Sequence, residues 1–146
     1  MFTVIHSLYK NSERLYCQNR VDDPLCANQA CKNSHLAETP EHVFCLCFKV
    51  RTAWQWVRQK ITELLSDQGP APAVGNKELI MLTYPRIRQE TEVAFILGTF
   101  MELVDTEVVG KKKELLLGTV KGVFRAKLKH LPSRSVPQVY LPLNWF

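Results

Sequence analysis

Residues 26–47 read CANQACKNSHLAETPEHVFCLC, a Cys-x4-Cys pair followed, after ten intervening residues, by a His-x4-Cys pair. Cys26, Cys31, His42 and Cys47 are three thiols and one imidazole, the donor set that a tetrahedral zinc ion takes. The first pair sits on a short segment whose backbone can turn both sulfurs toward one centre. The second pair flanks the entrance of a long helix, where the helix dipole and exposed amides favour a thiolate at Cys47. From Cys26 to Pro40 the chain is polar, with little apolar content beyond Leu25 and Leu36, so packing alone would not order it. A bound ion would, and four protein ligands would leave it no open position for hydrolysis. Two neighbours compete for ligand positions: His35 lies four residues past Cys31, and Cys45 three past His42. Cys17 reads as a buried or spare thiol.

Outward from this stretch, Val50, Trp54, Val57, Ile61 and Leu64 recur at helical spacing, with Arg51, Gln55, Arg58, Gln59 and Glu63 on the opposite face. Residues 67–75 form a linker, since prolines and glycines there cannot continue a helix. Beyond Pro85 a helix over 87–109 carries the stripe Val93, Leu97, Phe100 and Val104, with Gly110 as its expected C-cap. Leu117, Val120, Phe124, Leu128 and Leu131 form the next stripe, and a tail with Pro132, Pro137 and Pro142 follows. On the N-terminal side, residues 1–20 read as one or two short helices, and Phe2, Ile5 and Leu8 resemble the last turns of a helix begun further upstream.

The expected fold is mainly α, a small helical domain with an N-terminal zinc-stapled, knuckle-like loop and little or no β structure. Residues 1–66 hold the knuckle and long helix, 67–75 the linker, and 76–146 a helical C-terminal region with an extended tail.

The 146 residues, 46% hydrophobic, suffice for one domain, or one domain and a small attached knuckle. Five cysteines are an odd number, so a complete internal disulfide framework is impossible, and their clustering beside histidine favours a metal. No apolar run reaches the roughly 18 residues that a membrane span requires. With no secretory leader pattern at Met1, an intracellular address, cytoplasmic or nuclear, is expected. Charge is unevenly spread. Between Lys111 and Arg134 eight basic residues face Glu114 alone, so the rest of a chain with net charge +5 is slightly acidic.

The run Glu38-Thr39-Pro40-Glu41-His42-Val43-Phe44, then Cys47, then Trp54, resembles the zinc-binding region that follows the reverse transcriptase in LINE-like (non-LTR) retrotransposon proteins. Ser12-Glu13-Arg14-Leu15 and Asp23-Pro24-Leu25-Cys26 are similar to its lead-in, and the likeness covers about Leu8 to Val57. This chain has Cys-x4-Cys where that pattern more often has Cys-x2-Cys, and Phe48 where a proline usually follows the last cysteine. The resemblance implies a structural zinc and a role in helping a polymerase domain handle RNA or target DNA.

The polymerase chemistry itself is not expected here. Asp22 and Asp23 precede a proline and a cysteine loop, with no third carboxylate to complete a two-metal site, and read as turn residues. A Cys45–His42 nucleophile pair would need an orienting group and an oxyanion site, for which no motif is visible. There is no phosphate-binding glycine loop. Lys121, Arg125 and Lys129 recur every four residues opposite the apolar stripe, and Lys111, Lys112 and Lys113 extend them. They form either a solvated helix face or a stripe that tracks RNA or DNA phosphates. Trp54 lies on the apolar stripe and is expected in the core; Trp56 lies off it and could face solvent, another helix or a base. The expected function is therefore a non-catalytic zinc-binding module that assists RNA or DNA binding, or else a structural or protein-interaction domain without it. No membrane partner is expected.

Overall fold

A computed structural model of the chain describes residues 17–20, 22–66, 74–80 and 90–130. The first helical stretch expected before Cys17, most of the linker, the Pro85 boundary and the proline-containing tail lie outside the described residues. Those described are mainly helical. No strand forms among them, and the single β-type pairing is an isolated antiparallel bridge between Leu25 and Ala37.

That bridge closes the cysteine loop at its base. The Cys26 N–H donates to the Leu36 carbonyl at 3.0 Å and the Glu38 N–H to the Pro24 carbonyl at 2.8 Å. Within the loop, whose polar sequence shows no sustained periodicity, lies the short helix α1 (Gln29–Asn33). Asn28 caps it: its side-chain oxygen accepts from the Ala30 N–H at 3.0 Å, satisfying one of the amides left over at a helix start. The far end closes through two backbone bonds, Leu36 N–H to Cys31 carbonyl and His35 N–H to Lys32 carbonyl. That pairing is a Schellman motif, and His35 takes its left-handed position with φ 54°. One turn and a half is too short to display a helical period, which is why the residue pattern did not reveal it.

Thr39 and Pro40 open the next helical turn. The Thr39 hydroxyl accepts from the His42 N–H and its carbonyl from the Val43 N–H, both at 3.0 Å. Pro40, with its fixed φ and missing N–H, suits the first position. The turn then widens into a π-helical segment, His42–Leu46.

Helix α2 (Arg51–Ser66) follows and is the spine of the molecule. It buries Ala53, Trp54, Val57, Ile61 and Leu65, with Val50 just before it and Leu64 half-buried against the same core. Arg58 departs from the expected outer face. It is half-buried and donates to the Val74 carbonyl, tying α2 to the short helix α3 (Asn76–Ile80). The Trp54 indole N–H donates to the Asn76 side-chain oxygen at 3.2 Å and reinforces that link.

Helix α4 (Glu90–Leu103) buries the expected Val93, Leu97 and Phe100, and it continues as a π-helical segment, Val104–Gly110. Gly110 is not the C-cap expected of it but the last residue of that segment, and Lys111 is the cap. The left-handed residue is Lys112, with φ 57°. Gly110 meets a different requirement, because a Cβ there would lie 3.3 Å from the Asp105 carbonyl oxygen. Helix α5 (Leu117–His130) buries Val120, Phe124 and Leu128.

Helices α2, α4 and α5 pack against one another around three fully buried rings, Phe44, Phe100 and Phe124. Trp54 meets Phe100 with ring centroids 5.5 Å apart, and Trp56 meets Phe124 edge-on at 5.8 Å. Such contacts add about 0.5–1.5 kcal/mol each to the burial itself. The buried cluster runs without a break from Cys26 to Leu128. No helix among the described residues is long and apolar enough to cross a membrane.

Candidate metal centre

Four polar side chains converge at the N-terminal end of this core. One donor atom from each of Cys26, Cys31, His42 and Cys47 lies within 4.8 Å of all the others, and all four residues are buried. Each comes from a different local device. Cys26 stands beside the Leu25–Ala37 bridge, and Cys31 is the buried residue of α1. His42 opens the π-helical segment, whose i to i+5 closure sends the Cys47 N–H back to the His42 carbonyl at 2.8 Å. That wide turn sets residue 47 one turn above residue 42. An α-helical turn would have offered residue 46 instead, and Leu46 is exposed.

The spacing suits a small tetrahedral ion. Cys47 Sγ lies 3.8 Å from Cys26 Sγ and 3.8 Å from Cys31 Sγ. Metal–sulfur bonds of about 2.3 Å at tetrahedral angles put two sulfurs about 3.8 Å apart. A disulfide would need about 2.05 Å. All five cysteines are free.

Two further observations bear on occupancy. His42 Nε2 is buried and has no hydrogen-bond partner, the only such side-chain nitrogen or oxygen among the described residues. Leaving a buried polar atom unsatisfied costs about 1–3 kcal/mol, a penalty that coordination removes. Burial also lowers the His42 pKa, against a smaller opposing effect of Glu38, so the imidazole is held neutral as a ligand must be. The sulfurs, meanwhile, have amides prepared for their charged forms. Cys26 Sγ accepts from the backbone N–H of Asn28, and Cys47 Sγ from that of Lys49, the same two-residue step in both cases. Without an ion, burial dominates and raises the Cys26 thiol, and it pushes the Cys47 thiol up to about 12. A divalent cation would reverse that balance by neutralising the thiolates.

The competitors fall away for structural reasons. His35 is exposed because its left-handed backbone serves the end of α1. Cys45 is buried on another side of the π-helical segment, outside the tetrad; burial raises its pKa, partly opposed by the charge of Arg58. Cys17 is exposed rather than buried. Asp23 is a turn residue: its carboxylate accepts from the Leu25 N–H at 2.9 Å and lies 3.7 Å from the Lys32 ammonium, while Asp22 is exposed.

The six basic residues singled out in the sequence occupy two settings. Lys111, Lys112 and Lys113 are exposed on the strap joining the second π-helical segment to α5. Lys111 pairs with Glu107 at 2.9 Å. The strap is fastened to the end of the cysteine segment, since the Leu115 N–H donates to the Lys49 carbonyl at 2.9 Å and Lys49 Nζ to the Lys112 carbonyl at 3.4 Å. Lys49 had no distinguishing signal in the sequence. Arg125 and Lys129 are exposed on α5, and Lys121 is half-buried with its ammonium 5.7 Å from the centre of the Trp56 ring. Trp56 is therefore a helix-packing residue with a cation beside it, and Trp54 is core as expected.

No protein-family profile, curated protein or solved structure matches this chain.

Proposed function

We propose that the chain is a non-catalytic zinc-binding module whose Cys26, Cys31, His42 and Cys47 hold one structural Zn2+, and that it assists a polymerase in binding RNA or DNA. The observation that carries the metal reading is the tetrad itself, with Cys47 Sγ 3.8 Å from each of the other two sulfurs and an orphaned nitrogen on its buried imidazole. Three thiolates and an imidazole favour zinc over magnesium or calcium, which prefer oxygen. Four protein donors fill the shell and leave no position for a hydrolytic water, so the role is structural. Zinc bound this way supplies about 10–16 kcal/mol of apparent binding free energy in small peptides. Purified protein should contain one zinc per chain by elemental analysis. Cobalt substituted for it should give the visible absorption of a tetrahedral thiolate site; an octahedral spectrum or no uptake would sink the reading.

The nucleic-acid part rests on α5. Between Leu117 and His130 this helix carries Lys121, Arg125, Lys127 and Lys129 and no acidic residue. Three of these, Lys121, Arg125 and Lys129, recur every four residues along one flank of the helix, each one position past buried Val120, Phe124 and Leu128. Such a stripe suits phosphate tracking without base readout. The likeness of residues 8–57 to the region following LINE-like reverse transcriptases points the same way and suggests the polymerase domain of a parent element as partner. Reversing the charge of Lys121, Arg125 and Lys129 together should abolish salt-sensitive binding of single-stranded RNA and DNA while leaving zinc content intact. Unchanged binding would favour the second reading, a structural or protein-interaction module that uses the same metal.

A further inference from the structure

The tetrad is open on one side. A cavity of about 100 Å³ borders Cys26, His42 and Cys47, and its wall also includes Lys49 and Lys112. Room for one water needs only about 10–15 Å³, so a small molecule has space beside two of the three cysteines. Cys31 is not on this wall and is fully buried. Cys47 is the shared neighbour, 3.8 Å from Cys26 Sγ and 3.8 Å from Cys31 Sγ.

We propose that the centre is an oxidant-responsive one, in which hydrogen peroxide entering this cavity joins Cys26 to Cys47 as a disulfide and expels the metal. The proposal rests on the metal-binding reading and adds regulation to it. In the first step a thiolate sulfur attacks one peroxide oxygen. The S–O bond forms, the O–O bond breaks, and hydroxide leaves, giving a sulfenic acid. In the second step the other thiolate attacks that sulfur. The S–S bond forms, the S–O bond breaks, and a second hydroxide leaves. Two protons from solvent convert both hydroxides to water. Two thiolates have then lost two electrons, and one peroxide has gained them.

Geometry selects the pair. The cavity borders Cys26 and Cys47 but not Cys31, and the 3.8 Å between their sulfurs has to close to a bond of about 2.05 Å. Lys49 and Lys112 lie on the same wall, and the Lys49 ammonium donates to the Lys112 carbonyl at 3.4 Å. Once the disulfide forms, Cys31 and His42 alone remain as donors, too few to retain the ion.

The test uses the full chain loaded with zinc, its metal content measured before oxidant is added. Hydrogen peroxide is then titrated in the presence of a chromogenic zinc indicator, followed by alkylation and peptide mapping. Release of all bound zinc at one equivalent of peroxide is expected, with loss of two hydrogens in mass and a single Cys26–Cys47 crosslink. Dithiothreitol and fresh zinc should restore the loaded form. A Cys17→Ser variant, which removes the exposed thiol, should behave identically. Full zinc retention at that dose, or zinc loss with Cys31 as the oxidised residue, would overturn the switch while leaving the metal reading standing. A chain that takes up no zinc before peroxide is added would overturn both.

Discussion

The segment 22–49 and the three-helix core of α2, α4 and α5 are stabilised by different physics. The core has rings and aliphatic side chains at every turn and needs nothing but burial. The cysteine segment has helix caps, a Schellman turn, one β-type bridge and a π-helical turn, each contributing little, and an apolar content too small to hold them together. The two meet at Val43, Phe44 and Val50, which belong to the buried cluster. A region poor in apolar residues can thus fold through short-range backbone devices that bring four donor side chains together.

The largest expected effect breaks the cysteine segment alone. Cys47→Ala or His42→Ala should abolish zinc uptake and remove protection of amides 26–47 from hydrogen exchange, while α2 and α5 keep most of theirs. A chelator should do the same to the native chain, and a far-ultraviolet signal indifferent to the chelator would contradict the division. The converse comes next. Phe100→Ala should cost about 3–5 kcal/mol of stability in denaturant titration, the usual price of a large core cavity, with one zinc still bound by the folded fraction.

The metal-free form offers a smaller contrast, read by pH. Its Cys47 thiol titrates near 9 when unfolded and is pushed up to about 12 by burial when folded. In that interval the folded state holds the extra proton, so stability should fall as pH rises above 9 and be fully present below it. A zinc-loaded form should show the opposite dependence, because acid would protonate its thiolates and release the ion. Thermal melts across pH with and without chelator would distinguish the two slopes. Thr39→Ala should cost about 1 kcal/mol, a typical helix cap, and should weaken zinc affinity because the lost bond positions His42. At the small end, Glu102→Gln removes the 2.6 Å pair with Lys127 on the exposed side of α4 and α5, and melting should register about 0–1 kcal/mol.

Much of this was legible in the residues. The stripes Val50, Trp54, Val57, Ile61 and Val93, Leu97, Phe100, Val104 are buried as their spacing requires, because an amphipathic helix has one face to hide and its period says which. The ligand types were legible too, since few arrangements of thiols and imidazole in a polar segment serve any other chemistry. Less visible were the devices that act at short range. Helix α1 is too brief to show a period, and Gly110, which by type would end a helix in a left-handed turn, instead gives room to the Asp105 carbonyl while Lys112 takes the positive φ.

By itself the sequence determined a mainly helical molecule and a set of six candidate donors, because helix periodicity and metal-ligand chemistry are properties of residue type and spacing. Only the tertiary structure decided which four converge, that His35 is spent on a helix end, and that Lys49 binds a strap 63 residues away. Those outcomes depend on where backbone hydrogen bonds close, an i to i+5 turn rather than i to i+4. A difference of one residue in that closure leaves composition and periodicity untouched but exchanges an exposed leucine for a ligand.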